Sequence, residues 1–171
     1  MPKFFWKATT QIEPLKPVVA FGPFQQWGLD FIGEIHPASS GQHRWILTTI
    51  DYFTKWIESI PTRNASHKVI ISFLEDIMSI FGCPSKIVTK NASSFKDEPL
   101  IKFCEQYGIT LVHSTPFYPQ GNGLAESSNK NLIKIINKLL EDNKKAWHSK
   151  LKFSLWDDRV TTKRSLGVSH F

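Results

Sequence analysis

Thiol chemistry is all but missing from this sequence: Cys83 and Cys104 are its only cysteines, and they form no CxxC pair. With nothing to build a disulfide framework or a thiolate metal centre, both read as small apolar groups in a reducing compartment. The six histidines form no HxxxH pair and have no cysteine pairs nearby, which argues against a structural zinc site. No apolar run approaches the ~18 residues that a membrane-spanning helix requires, and no signal-peptide core follows Met1. Internal repeats and low-complexity tracts are lacking too. These absences predict a soluble protein of the nucleus or cytoplasm, neither secreted nor membrane-inserted.

What is present suits one folded domain. A chain of 171 residues with 41% hydrophobic residues is long and apolar enough to bury a real core. Lys and Arg outnumber Asp and Glu by 21 to 15, a net charge of +6 that favours a polyanionic partner such as nucleic acid. The opening stretch is proline-bearing and aperiodic, so residues 1–22 are expected to form an extended arm and residues 23–171 the domain. Three turn-bounded runs, WGLDFIGEI, HRWILTTID and TKWIESIP, predict an antiparallel meander over 27–60. Val69, Ile70, Phe73, Leu74, Ile77 and Ile80 recur at helical steps, with Asn64 or Ser66 as N-cap and Gly82 and Pro84 as the stop. KIVT (86–89) and ITLVHS (109–114) read as strands, 96–107 and about 124–142 as helices, and the tail around Trp147–Trp156 as one more helix. Strands alternating with helices mean an α/β sheet covered on its faces. On the helix from 124, Leu132, Ile135, Ile136, Leu139 and Leu140 give the apolar stripe. Glu126, Lys130, Lys134 and Lys138 follow at steps of four on the other face. Such a lysine row suits a solvated face and a phosphate-contacting face equally.

Three ordered segments then carry a resemblance: WGLDFIGEIHPASSGQHRWILTTIDYFTKWIES, FGCPSKIVT, and YGITLVHSTPFYPQGNGLAESSNKNL. From about Pro23 to Phe171 the chain resembles the catalytic core of gypsy-type long-terminal-repeat retrotransposon integrases, within the retroviral integrase superfamily. The resemblance implies a ribonuclease-H-like fold, a five-stranded mixed sheet flanked by helices. It also implies a polynucleotidyl transferase site of three acids, whose two divalent cations activate the attacking and leaving oxygens of a phosphodiester exchange. Asp30 matches the first acid and Glu126 the third.

Lys90 stands where the resemblance expects the second acid, and Ala92 where it expects a glycine. Magnesium demands oxygen ligands, so an ammonium cannot replace a carboxylate there. The expectation is a remnant triad with catalysis lost and any Mg²⁺ or Mn²⁺ binding weak or gone, unless Asp97 or Glu98 compensates. The alternatives are a still-active magnesium-dependent strand transferase or nuclease, and a protein-interaction module that self-associates without DNA. By the same resemblance, Tyr118, Gln120 and Asn122 in the loop 116–123, together with Lys130 and Lys134, would contact nucleic acid. A homodimer through the core surface is the implied assembly. No His or Cys occurs ahead of the core, so the zinc module that precedes it in the family is not expected in this chain. With Phe171 last, neither is the family's C-terminal region.

Overall fold

Alternation along one strand decides how the molecule is layered. The computed structural model describes residues 21–114, 123–139 and 143–161. Most of the expected arm, and Tyr118, Gln120, Asn122 and Leu140, lie outside these residues. Strand β1 (Gln26–Ile32) is buried along nearly its whole length. Trp27 and Leu29 pack into one apolar cluster, whereas Ile32 packs into the other. A period of two therefore gives Gly28, Asp30 and Ile32 a common face.

The expected meander forms. Strand β2 (Trp45–Asp51) runs antiparallel to β1, and β3 (Ile57–Thr62) antiparallel to β2. Strands β4 (Lys86–Thr89) and β5 (Thr110–His113) extend the other edge in parallel, giving the order β3-β2-β1-β4-β5. Parallel neighbours require crossovers. Helix α1 (His67–Phe81) supplies the one between β3 and β4, and α2 (Glu98–Gln106) the one between β4 and β5. Both helices cover the face of Trp27 and Leu29. Helices α3 (Gly123–Leu139) and α4 (Trp147–Val160) cover the face of Ile32, with Leu132, Ile136, Leu151 and Leu155 in its core.

Local chemistry explains the helix ends. Ser66 takes the N-cap position of α1 in extended conformation, although its side chain makes no capping bond. Gly82 closes the helix at φ +86°, a conformation glycine adopts without a Cβ penalty, and its N–H bonds the Met78 carbonyl at 3.0 Å. Helix α2 begins later than the periodicity suggests. Pro99 fits its first turn, where a missing N–H costs nothing, and residues Ser93–Phe95 form a separate 3₁₀ turn.

The buried stripe of α3 is Ala125, Asn129, Leu132 and Ile136, narrower than expected: Leu139 is exposed and Ile135 only half-buried. Helix α4 continues through the acidic WDDRV segment, in which Asp158 and Arg159 are held by other elements. Asn131 Nδ2 of α3 donates to Asp158 Oδ1 at 3.0 Å. Arg159 donates to Glu58 Oε1 at 2.7 Å and lies over the Trp56 ring at 4.1 Å. Among the described residues, no helix is long and apolar enough to cross a membrane.

One glycine is needed where β1 meets α3. A Cβ on Gly28 would stand 2.9 Å from the Tyr52 ring and 3.4 Å from the Ala125 Cβ. Its absence leaves room for the Tyr52 ring, with the first turn of α3 in contact at Ala125.

Candidate functional site

Positions 30, 90 and 126 come from three elements and meet at one point. Asp30 lies in β1 on the α3 face and is 2% exposed. Its Oδ1 accepts from the Phe31 N–H at 2.8 Å, and its Oδ2 accepts from Asn129 Nδ2 at 2.9 Å. Lys90, the residue after β4, brings its Nζ to 2.9 Å from the same Oδ2. Glu126, in the first turn of α3, stands 3.8 Å from that ammonium through Oε1.

Behind the ion cluster is a polar support that periodicity alone does not reveal. The Thr48 hydroxyl, buried on β2 opposite Asp30, donates to Asn129 Oδ1 at 2.8 Å. Both Thr48 and Asn129 sit within otherwise apolar buried sets. A polar residue inside a helix's apolar stripe is the signal that could have identified Asn129, since buried polar groups need partners.

Burial pushes the Asp30 carboxyl above its usual range, and the hydrogen bond and charge of Lys90 oppose that shift without cancelling it. A carboxyl with a raised folded pKa binds its proton more tightly in the native state. Its contribution to stability is full below the ordinary value of 3.8 and is lost as pH rises through the folded pKa. Asp30→Asn is therefore expected to remove one falling component from the stability–pH curve above pH 3.8, measured by urea melts at stepped pH. An unchanged slope would show that Asp30 is not the group responsible.

Two carboxylates bridged by an ammonium do not suit a divalent cation. Lys90 Nζ already occupies the inner oxygen of Asp30, and a hard cation needs several oxygen ligands. Among the described residues no group of three His, Cys, Asp or Glu could hold a metal ion. Neither compensating acid turns inward. Asp97 Oδ2 lies 2.9 Å from His67 Nδ1, and Glu98 pairs with Lys102 at 2.7 Å. Ala92, where the resemblance expects a glycine, has φ −98° and ψ 152°, ordinary extended backbone that any residue adopts.

On the outer side of α3, Lys130, Lys134 and Lys138 are all exposed, aligned by their four-residue spacing. Thr89 Oγ1 and His113 Nδ1, 2.8 Å apart, close the sheet end next to Lys90. Burial, with the charge of Lys96, lowers the His113 pKa.

Comparison with known proteins places this geometry in context. A family model described as "Integrase core domain" matches residues 21–119. The chain is 29% identical over 150 residues to the Gag-Pol polyprotein of avian reticuloendotheliosis virus, covering 87% of this chain and 13% of that one. It is 31% identical over 144 residues to the Pol polyprotein of feline endogenous virus ECE1, covering 83% and 14%. It thus spans only a small part of the curated relatives it matches. Among solved structures it is similar to the simian T-cell lymphotropic virus intasome in complex with PP2A regulatory subunit B56 gamma (TM-score 0.77, 19% identity, 90% of this chain and 55% of that chain). It is also similar to the magnesium-bound, trimeric HTLV-2 integrase catalytic core (TM-score 0.68, 20% identity, 90% and 96%). At these identities the likeness to the solved structures is one of fold.

Proposed function

Because the chain belongs to the integrase core domain family, we propose that it is a gypsy-type retrotransposon-derived core that binds nucleic acid and no longer catalyses strand transfer. The observation that carries this reading is the Lys90 ammonium, 2.9 Å from Asp30 and 3.8 Å from Glu126. Phosphodiester exchange in this chemistry relies on cations that stabilise both the attacking and the leaving oxygen. A single ammonium already paired with two carboxylates supplies neither. Counted by formal charges, Asp30, Glu126 and Lys90 leave the cluster at −1, which repels a phosphate rather than clamping it. Nucleic-acid contact is accordingly assigned to Lys130 and Lys134 on α3 and to Tyr118, Gln120 and Asn122 in the loop before it.

The test is a strand-transfer and nicking assay with magnesium or manganese, paired with calorimetric titration of each cation. The expected outcome is no product above an Asp30→Ala, Glu126→Ala double variant and no saturable cation binding. Product above that control would restore the reading of an active metal-dependent transferase or nuclease.

A second reading, self-association, is favoured by one surface. Trp156 is 61% exposed and Phe153 51% exposed on α4. With Leu139 of α3 they line a shallow groove of about 520 Å³. Large aromatics clustered in water mark contact surfaces. A second copy of the chain is the proposed occupant. Sedimentation is expected to show a dimer in the wild type and a monomer for Trp156→Glu. Identical profiles would remove this face from consideration.

A further inference from the structure

We infer that the facing imidazoles of His43 and His148 form an acid-released latch, which holds the loop joining β1 to β2 against the start of α4. Residues 39–43 fold tightly on themselves. The Ser39 N–H bonds the His43 carbonyl at 2.9 Å, and the buried Ser39 hydroxyl accepts from the His43 N–H at 3.0 Å. That hydroxyl also lies 3.0 Å from His43 Nδ1, which fixes the ring on its turn. His148 arrives from the first turn of α4, and the two ring centroids are 5.2 Å apart. Both rings close on Gly41: a Cβ there would stand 2.6 Å from His43 Cε1 and 3.6 Å from His148 Nε2. Beside them a single backbone bond joins the loop to the 3₁₀ turn Lys144–Ala146, from the Ser40 N–H to the Lys145 carbonyl at 2.9 Å.

The contact suits neutral rings and not charged ones. A neutral imidazole carries one proton, whereas an imidazolium donates from both nitrogens. His148 Nδ1 is buried with no hydrogen-bond partner, so charging this ring would force a donor where no acceptor stands. On His43, burial first, then the charges of His148 and Arg63, lower the pKa. Arg63 is tied to the same turn, its Nε donating to the Gly41 carbonyl at 3.3 Å. Arg44 and Lys145 flank the contact in sequence, and Arg44 is paired with Glu34. Among the described residues no acid pairs with either ring. Glu141 and Asp142, in the connection before α4, lie outside those residues, and the experiment neutralises them.

A histidine with a lowered folded pKa stabilises the closed state fully above its ordinary value of 6.5. That contribution is lost as pH falls through the folded pKa. Release has a defined consequence. His36 and Pro37 of this loop line one groove together with Lys144 and Trp147, so parting the loop from α4 opens that groove. It also frees the chain that follows β1, the strand carrying Asp30. The latch is independent of the nucleic-acid reading.

The test follows amide hydrogen exchange of Ser40 in the full chain, relative to Leu47 at the centre of the sheet. The Ser40 protection factor is expected to fall about fivefold or more between about pH 7.5 and about pH 5. His43→Gln with His148→Gln keeps polar groups that do not titrate there, and should flatten the response. Glu141→Gln with Asp142→Asn should leave it in place. Proton NMR titration of the rings gives a second readout: His43 should titrate below 6.5 and move upward in His148→Gln. The inference is overturned by protection that does not change with pH, by a fall that survives in the double glutamine variant, or by one that vanishes when Glu141 and Asp142 are neutralised. If the double glutamine variant fails to fold, the wild-type titration decides, and a His43 titrating at or above 6.5 rejects the latch. No readout involves DNA, so failure here leaves the proposed function standing, and the reverse holds.

Discussion

Replacing Lys130, Lys134 and Lys138 together with glutamate is expected to eliminate DNA binding at physiological salt. All three side chains are exposed on one face of α3, away from the sheet. Each reversal changes the charge by two, so three of them take the formal net charge from +6 to zero. Non-specific binding of DNA by a basic surface starts weak, with Kd of ~10⁻⁴–10⁻⁶ M at physiological salt. Little affinity is available to lose before binding falls below detection. The salt dependence gives the sharper measurement. Each neutralised phosphate contributes about −0.9 to the slope of log affinity against log salt on duplex DNA, so losing three contacts should flatten it by about 2.7. Lys68 and Lys102, exposed on the helices of the opposite layer, provide the control. Their reversal should retain most of the affinity. Undiminished binding by the triple variant would place the DNA surface elsewhere, and a loss in the control of two-thirds that of the triple variant, in proportion to the charge changes of four and six, would reduce the effect to net charge.

Lys90→Asp should make the fold depend on a divalent cation, and the wild type is expected to show no such dependence. Without metal the variant brings three carboxylates together, one of them the buried Asp30. Breaking a fully buried ion pair costs ~3–5 kcal/mol. Lys90 is 42% exposed, so solvent screening reduces the expected loss to about 2 kcal/mol. A cation that binds only the folded variant returns about 2.7 kcal/mol at a hundred times its Kd. Thermal melts across a manganese series should therefore rise for Lys90→Asp and stay flat for the wild type. Lys90→Met removes the ammonium without adding a ligand, so it should melt lower than wild type and not respond to manganese. A Met variant as stable as the wild type would mean that the lysine holds nothing together. A cation-dependent melt in the wild type would contradict the misfit of metal and site.

Much of this architecture is legible in the sequence because period and punctuation are local signals. Turn-bounded apolar runs define the meander, and Gly82 with Pro84 ends α1. Strand order is not local. It follows from crossovers that the 3.6-residue pattern of α1 and α2 permits but does not specify. On α3 the apolar letters were a partial guide. Leu139 faces water beside Trp156, while the polar Asn129 is buried because its partners, Thr48 and Asp30, come from 81 and 99 residues away. The convergence of Asp30, Lys90 and Glu126 was expected from resemblance rather than from the letters themselves. Only coordinates supply its distances.

The hydrogen bonds around Asn129 also have a direction. Thr48 gives its proton to the Asn129 oxygen, Asn129 gives one to Asp30, and Lys90 gives another to the same carboxylate. The Thr48–Asn129 chain runs in one direction and ends on Asp30, whose Oδ2 takes both the Asn129 amide and the nearer contact of the Lys90 ammonium. An isostere with the opposite polarity breaks that sequence without changing its shape. Asn129→Asp would set an ionised oxygen against the Asp30 oxygen where an N–H now lies, while still accepting from Thr48. This position therefore distinguishes amide from acid by the sense of its bonds, and volume plays no part in the choice.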